Sequence, residues 1–405
     1  MNKSGLFSGG LLLMVVFLAA CSGSDTKDEP EPAKLKDFKE EVVLEKVWST
    51  SVGDGLGEYY NKITPAIDGD TIYVADIEGV VTAIDKADGK DKWEIDLQER
   101  IMGGVGAGNG LVLIGTIKGA VVALNEQDGS QLWRTQMSSE VLSAPQTTAE
   151  LVIAQTQDGH VVALDKTTGQ QKWVYNTAIP VLTLRGTSAP LIFDNFVYAA
   201  FSNGKVVCLS LDQGNVRWEN RVAIATGSSE LERVIDIDGG LLIRDNILYA
   251  ISYQGRVVAI DLNDGQKLWK KTASSYVGLG EGFGNIYTSE EGDVVKALNR
   301  TGGTPVWVQE GLTYRRLNSP TTIRNYVAVA DYEGYVHFLS QVDGHFVARE
   351  KIDGGSVRPN FKSNSAASRN HKTSGDHGVR SDMIVDGDML YVYGNNGNLV
   401  ALRVE

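Results

Sequence analysis

Cysteine is nearly missing from this chain: 405 residues contain two, Cys21 and Cys208. A disulfide framework and a thiolate metal cluster are both excluded, since each needs several clustered thiols. Histidine is scarce as well, with five: His160, His337, His345, His371 and His377. Only the last two are close in sequence, and they lie in a polar stretch that reads as a solvated loop rather than a metal site. No HExxH and no Walker loop occurs. Basic charge is in deficit, 38 Lys and Arg against 51 Asp and Glu, for a net charge of −13. That balance argues against nucleic acid as a partner, because phosphate binding needs a basic surface. Long apolar runs are missing apart from LLLMVVFLAA, residues 11–20, which is too short to span a bilayer as a mature helix. No pair of carboxylates stands out from the many turn aspartates. Gly103-Gly104-Val105-Gly106-Ala107-Gly108 could cradle a phosphate, but it opens no helix and reads as the start of a strand.

Glycine is abundant, with 45 residues, and it marks a repeat. The clearest copy is Asp158 to Trp173, DGHVVALDKTTGQQKW. Val161–Leu164 is a short β-branched run, the mark of a buried strand. Asp165 to Gly169 is a turn, where Asp bonds its own backbone and Gly supplies a positive φ. A second strand then runs into Trp173. The same fourteen-residue step joins Gly79 to Trp93, Gly119 to Trp133, Gly159 to Trp173, Gly204 to Trp218 and Gly255 to Trp269. Gly292 reaches Trp307 with one residue more. Gly334 leads to Ala348 in the Trp position, and Gly397 leads into the chain end.

The first strand of the unit therefore occurs eight times and the second seven. The missing copy is at the other end, at Trp48, with no first strand before it. A closed ring accounts for this: the strand around Trp48 completes the last blade. Closure also protects strand edges that an open array leaves free. Periods of 37 to 51 residues between the repeat glycines up to Gly334 fit four short strands per blade. We therefore expect an all-β, eight-bladed β-propeller of four-stranded antiparallel blades over residues 42–405. Cys208 falls where other repeats carry Ala, so it is expected to be a buried small residue without a disulfide partner. In blade four the inner strand is expected over 188–192, with turns at Asp194-Asn195 and Asn203-Gly204.

The N-terminus has a different character. Residues 1–20 read as a signal peptide, with Lys3 as the positive region and residues 11–20 as the apolar core. Leu18-Ala19-Ala20-Cys21 resembles the lipobox of bacterial lipoproteins, which implies cleavage before Cys21 and lipidation there. Cleavage removes one positive charge and takes the net charge from −13 to −14. Ser22 rather than Asp after the Cys implies, by analogy with enterobacterial sorting, the outer membrane facing the periplasm. Residues 21–41 are polar, charged and Pro-containing, and read as a flexible tether reaching roughly 25 Å root-mean-square.

Three stretches break the repeat: 176–190, 221–240 and 353–382, the last a polar loop insertion. The AxDxxxGxxxW repeat resembles quinoprotein dehydrogenases, whose eight-bladed propellers hold pyrroloquinoline quinone and in which the Trp packs between blades. That family carries a vicinal Cys-Cys disulfide and an Asp, Asn and Glu set for calcium; this chain has no Cys-Cys pair, which argues against catalysis.

Lipobox, acidic tether and eight repeats together resemble the BamB family, the lipoprotein propellers of the outer-membrane β-barrel assembly (BAM) machinery. The most specific matches are Leu182-Thr183-Leu184-Arg185-Gly186, which is similar to the family's LxLRG loop, Ala225-Thr226-Gly227-Ser228, similar to its ATGS segment, and Asp236-Ile237-Asp238, similar to its DxD segment. The resemblance implies that Leu182, Leu184, Arg185, Asp236 and Asp238 contact the POTRA region of BamA. It also implies a non-enzymatic scaffold without cofactor, linked through BamA to the other BAM subunits, with unfolded outer-membrane proteins as further candidate clients. Alternate residues of an extended loop point to one side, so Leu182 and Leu184 form a pair of apolar anchors beside the Arg185 fork. The same residues also suit an internal role, with the leucines capping the core and Arg185 pairing with Asp236 or Asp238. The rival functions are a periplasmic quinoprotein dehydrogenase and a propeller that binds carbohydrate or peptidoglycan.

Overall fold

Every apolar run found by its spacing becomes the third strand of a four-stranded antiparallel sheet. The computed structural model describes residues 30–57, 61–184, 186–224, 228–229, 232–352 and 377–405. Among these it forms eight such sheets and no α-helix. Blade 1 comprises Ala66–Asp68, Thr71–Ala75, Val80–Asp85 and Asp91–Asp96, ordered from the innermost strand outward. Blade 2 begins with Ile101–Gly108, so the glycine-rich stretch is an inner strand. Its glycines have a packing reason. A Cβ on Gly106 would meet the Pro145 carbonyl oxygen at 2.0 Å, so the inner strands of blades 2 and 3 approach backbone to backbone. The inner strand of blade 4 is Leu191–Phe193, shifted outward from the expected 188–192, and Asp194 turns it with φ 52°.

The ring closes as the strand count requires. Leu44–Ser51 pairs with Asn398–Val404 in the sheet that also holds Met389–Tyr393 and Ile384–Asp386. The register sets Trp48 opposite Ala401.

Each outer tryptophan joins two blades. The indole N–H of Trp48, Trp93, Trp133, Trp173, Trp218, Trp269 and Trp307 donates to a backbone carbonyl in the outer turn of the next blade, over 2.7–3.1 Å. The turn glycine beyond it packs flat on the ring. A Cβ on Gly265 would lie 2.6 Å from the Trp218 ring. Within its own blade each Trp faces a small residue across the ladder: Ala83, Ala123, Ala163, Cys208, Ala259, Ala297 or Ala401. Cys208 is thus a buried stand-in for Ala.

Ala348 breaks this rule for a visible reason. In blade 7 the large and small residues are exchanged, with Phe338 opposite Ala348. The neighbouring blade 8 has no outer turn to accept an indole N–H, because its third and fourth strands are the two ends of the chain. Val42 packs into the same cluster as Ala348 instead.

Two boundaries differ from the sequence expectation. Residues 32–41 belong with the propeller rather than with a free tether: Leu35 packs on the blade 6–7 core and Phe38 stacks on Phe346. The tether composition hides two apolar residues spaced to fit the ring. At the other end of the chain, Val379 and Ser381 are buried, although 377–382 fall within the polar insertion as read from composition. Residues 353–376, with His371, lie outside the described residues.

Candidate functional site

Antiparallel blades place two sets of loops on one face of the ring: the turn between the second and third strands, and the connection to the next blade. A repeated bond ties the two sets together. The carbonyls of Gly79, Gly119, Gly159, Gly204, Gly292, Gly334 and Gly397 each accept a backbone N–H from the neighbouring inter-blade connection. The two period-breaking loops, 177–190 between blades 3 and 4 and 222–241 between blades 4 and 5, therefore share this face.

Loop 177–190 is held from three sides. From blade 3, Gln157 donates its amide N–H to Thr183 Oγ1 at 3.1 Å. From blade 4, Asn203 donates to the Ala178 carbonyl at 2.7 Å. From the second loop, Asp236 Oδ2 accepts the Leu184 backbone N–H at 3.0 Å. Asp236 is itself anchored, since its carbonyl accepts Tyr253 N–H at 2.8 Å. Gly186 lies directly on the Asp238 carboxyl group, where a Cβ would approach to 2.7 Å.

This support leaves the apolar side chains of the loop in solvent. Leu182 is 44% and Leu184 40% exposed, Val181 is fully exposed, and Ile224 on the adjoining loop is 57% exposed. Neither leucine caps the core. The hydrogen bonds hold the loop in place while its aliphatic side chains face water, which lowers the ordering cost of any contact made there.

The acidic pair has a different place. Asp236 is 1% exposed and therefore lies inside the fold in this structure. Burial, followed by the neighbouring Asp238 carboxylate, pushes Asp236 well above the ordinary carboxylate range. Asp238 is raised too, chiefly by burial, and is partly offset by the Lys62 ammonium. Burial and mutual repulsion thus bias the pair towards protonation. The pair braces the loop from below. Arg185 lies outside the described residues, as do Cys21 and Ala225–Gly227. Val181, Gln157, Asn203 and Ile224 are absent from the sequence-derived site. Val181 had a signal, since Val181, Leu182 and Leu184 put three aliphatics into four loop positions; the polar braces had none.

The vicinal cysteine pair of a quinone site has no counterpart in these residues. Among the described residues no three His, Cys, Asp or Glu side chains gather to hold a metal ion. Cys208, the free cysteine among them, is buried in a blade strand, far from forming a vicinal pair. Lys62 donates from the connection before blade 1 to the Tyr276 carbonyl after blade 5, at 2.5 Å.

Eight blades, seven of their seams bridged by Trp, with PQQ-like repeats and a ring closed by the N-terminal strand, define an eight-bladed propeller of the quinoprotein type. The family model described as outer membrane protein assembly factor BamB matches residues 45–103 and 78–309. BamB of Pseudomonas aeruginosa is 54% identical over 97% of this chain and 98% of that protein. BamB of Escherichia coli is 35% identical over 86% of this chain and 91% of that protein. The crystal structure of BamB from Moraxella catarrhalis superposes with a TM-score of 0.78 at 27% identity, covering 89% of this chain and all of that one. A quinohemoprotein alcohol dehydrogenase from Comamonas testosteroni, at TM-score 0.66 and 15% identity over 89% of this chain and 76% of that one, shares the fold alone. The chain belongs to the BamB family of outer membrane protein assembly factors, and is a member of a scaffold family rather than a dehydrogenase.

Proposed function

We propose that this chain is a lipoprotein scaffold of the BAM machinery, cleaved before Cys21, lipidated there, and held on the periplasmic side of the outer membrane. Its partner is the POTRA region of BamA, and through it the other BAM subunits. Val181, Leu182 and Leu184 enter a hydrophobic groove of that partner, with Arg185 beside them. Asp236 and Asp238 act from beneath, keeping the loop in its binding shape. Unfolded outer-membrane proteins are further candidate clients of the assembly as a whole.

The observation that carries this reading is the exposure of three aliphatic side chains on a loop braced by three polar contacts. An exposed apolar side chain is ordinary; three on one polar-braced loop are not what solubility alone selects. The test is a titration of residues 22–405 with the soluble POTRA segment of the cognate BamA. Leu184→Asp is expected to weaken binding at least 30-fold, on the order of 2 kcal/mol or more for a buried anchor, with unchanged thermal stability. Wild-type binding equal to that of Leu184→Asp and Arg185→Ala refutes the site; no binding by the wild type refutes the partner.

A further inference from the structure

We infer that residues 33–43 form a strap that fixes where the membrane anchor leaves the propeller, on the rim of the face that carries the two candidate loops. The inference rests on the lipid-anchored reading above and adds an orientation to it.

The strap runs the height of the ring across the blade 6–7 seam. Near its start, Ala33 N–H donates to the Thr313 carbonyl at 2.8 Å, and Thr313 lies in the connection from blade 6 to blade 7. At its other end, Glu41 N–H donates to the Val347 carbonyl at 2.8 Å, and the Val43 carbonyl accepts the Glu405 N–H at 3.2 Å. Val347 and Glu405 lie towards the outer-turn face, whereas Thr313 lies on the loop face beside Gly292. About eight extended residues reach roughly 27 Å, enough to cross a blade edge from face to face.

The seat is built from buried groups. Asp331, fully buried, accepts from Arg315 Nε at 2.7 Å and from His337 Nε2 at 2.9 Å, while its other oxygen accepts the backbone N–H groups of Glu333 and Tyr335. His337, also fully buried, accepts on Nδ1 from Arg349 Nε at 3.1 Å. The imidazole is thus neutral, with its hydrogen on Nε2. This network aims two guanidinium groups outward at the strap. Arg315 Nη1 donates to the Ala33 carbonyl at 3.0 Å and Arg349 Nη1 to the Lys36 carbonyl at 3.3 Å. Arg349 also stacks over Phe38, 4.9 Å from the ring centre, and Phe38 lies 5.6 Å from Phe346. Leu35 fills the seam between blades 6 and 7. Two arginines preorganised by a buried carboxylate and imidazole are more than a covering for a free edge needs.

The consequence is geometric. A tether free up to residue 41 lets the lipid leave from either face. With the strap seated, the chain enters the propeller at Ala33 on the loop face, and eleven residues from Ser22 to Pro32 separate that point from the anchor, a length worth about 18 Å root-mean-square for a coil. The candidate docking loops are therefore turned towards the leaflet that holds the anchor.

Two readouts test this. Hydrogen exchange on residues 22–405 needs neither lipid nor partner. The amides of Ala33 and Glu41 are expected to be protected at least tenfold in the wild type and to lose that protection in Leu35→Ser/Phe38→Ala, while blade amides are unchanged. Unprotected wild-type amides overturn the strap. The lipidated full chain is then placed on phosphatidylethanolamine–phosphatidylglycerol vesicles carrying an acceptor dye, with a donor on Glu291→Cys (loop face of blade 6) or Thr301→Cys (outer-turn face of the same blade). Energy transfer at least twofold stronger from 291, lost in the strap variant, supports the orientation. Equal transfer from both faces, or an asymmetry that survives the strap variant, overturns it. Failure of the lipidated chain to load on vesicles counts against the anchor reading and leaves the exchange result standing.

Discussion

Trp218 donates its indole N–H to Leu262 at 2.9 Å while the Gly265 turn lies flat on its ring, and two substitutions separate these contributions. Trp218→Phe keeps most of the apolar contact and leaves a buried carbonyl short of a donor, so a loss of about 1–2 kcal/mol is expected in a urea unfolding midpoint. Gly265→Ala has to strain a backbone at φ 74° and displace the ring, and is expected to cost more, about 2–4 kcal/mol. Blade 7 supplies a converse test. Ala348→Trp restores the repeat consensus yet is expected to destabilise by about 1–3 kcal/mol through overpacking against Phe338. Adding Phe338→Ala is expected to recover part of that loss, a favourable coupling in a double-mutant cycle. At Asp236 the sign of the pH effect follows from the raised pKa. The folded state keeps a proton that the unfolded chain gives up near the ordinary carboxylate value, so folding is most favoured below that value and weakens as pH rises through neutral. Asp236→Asn retains an acceptor for Leu184 N–H and removes the titration of Asp236, leaving that of Asp238. Its urea midpoint is therefore expected to change less between pH 5 and pH 8 than that of the wild type.

At the scale of elements, the closing strand 44–51 has more at stake than any other, because it pairs with 398–404 and supplies the Trp of blade 8. Deleting residues 22–50 is expected to expose the edge of 398–404 and convert a monodisperse species into aggregates on size-exclusion chromatography. A residual monomer with native near-ultraviolet dichroism would contradict this. The blades are legible in the sequence because each repeats a turn glycine and a Trp at fixed spacing, two residue types whose geometry few others can satisfy. The exchange of Phe338 and Ala348 explains why one mark is missing. The strap is not legible. Leu35 and Phe38 are isolated apolar residues in a charged, Pro-containing stretch, and the strap's partners Phe346, Arg315 and Arg349 lie about 300 positions away. The candidate loops are conspicuous as breaks in the period. Whether Asp236 faces solvent or the interior depends on the path of two long connections, which no local periodicity encodes.

For the molecule as a whole, the proposed role divides the work between rigid blades and the inter-blade loops that would contact the partner, the division expected when binding residues sit on a closed scaffold. An acidic balance, net charge −13 over the full chain, favours solubility, and Val181, Leu182, Leu184 and Ile224 expose aliphatic side chains on the loop face. The central claim is that these loop side chains meet BamA. Its most direct test is a photo-crosslinking residue placed at Leu182 and, as a control, at Leu132, which is equally exposed on an outer strand of blade 2. Each protein is irradiated with the purified POTRA segment of the cognate BamA. The account predicts an adduct from position 182 that unlabelled wild-type protein suppresses, and none from 132. Adducts from 132 alone, or from neither position at concentrations where the two proteins bind, would contradict it.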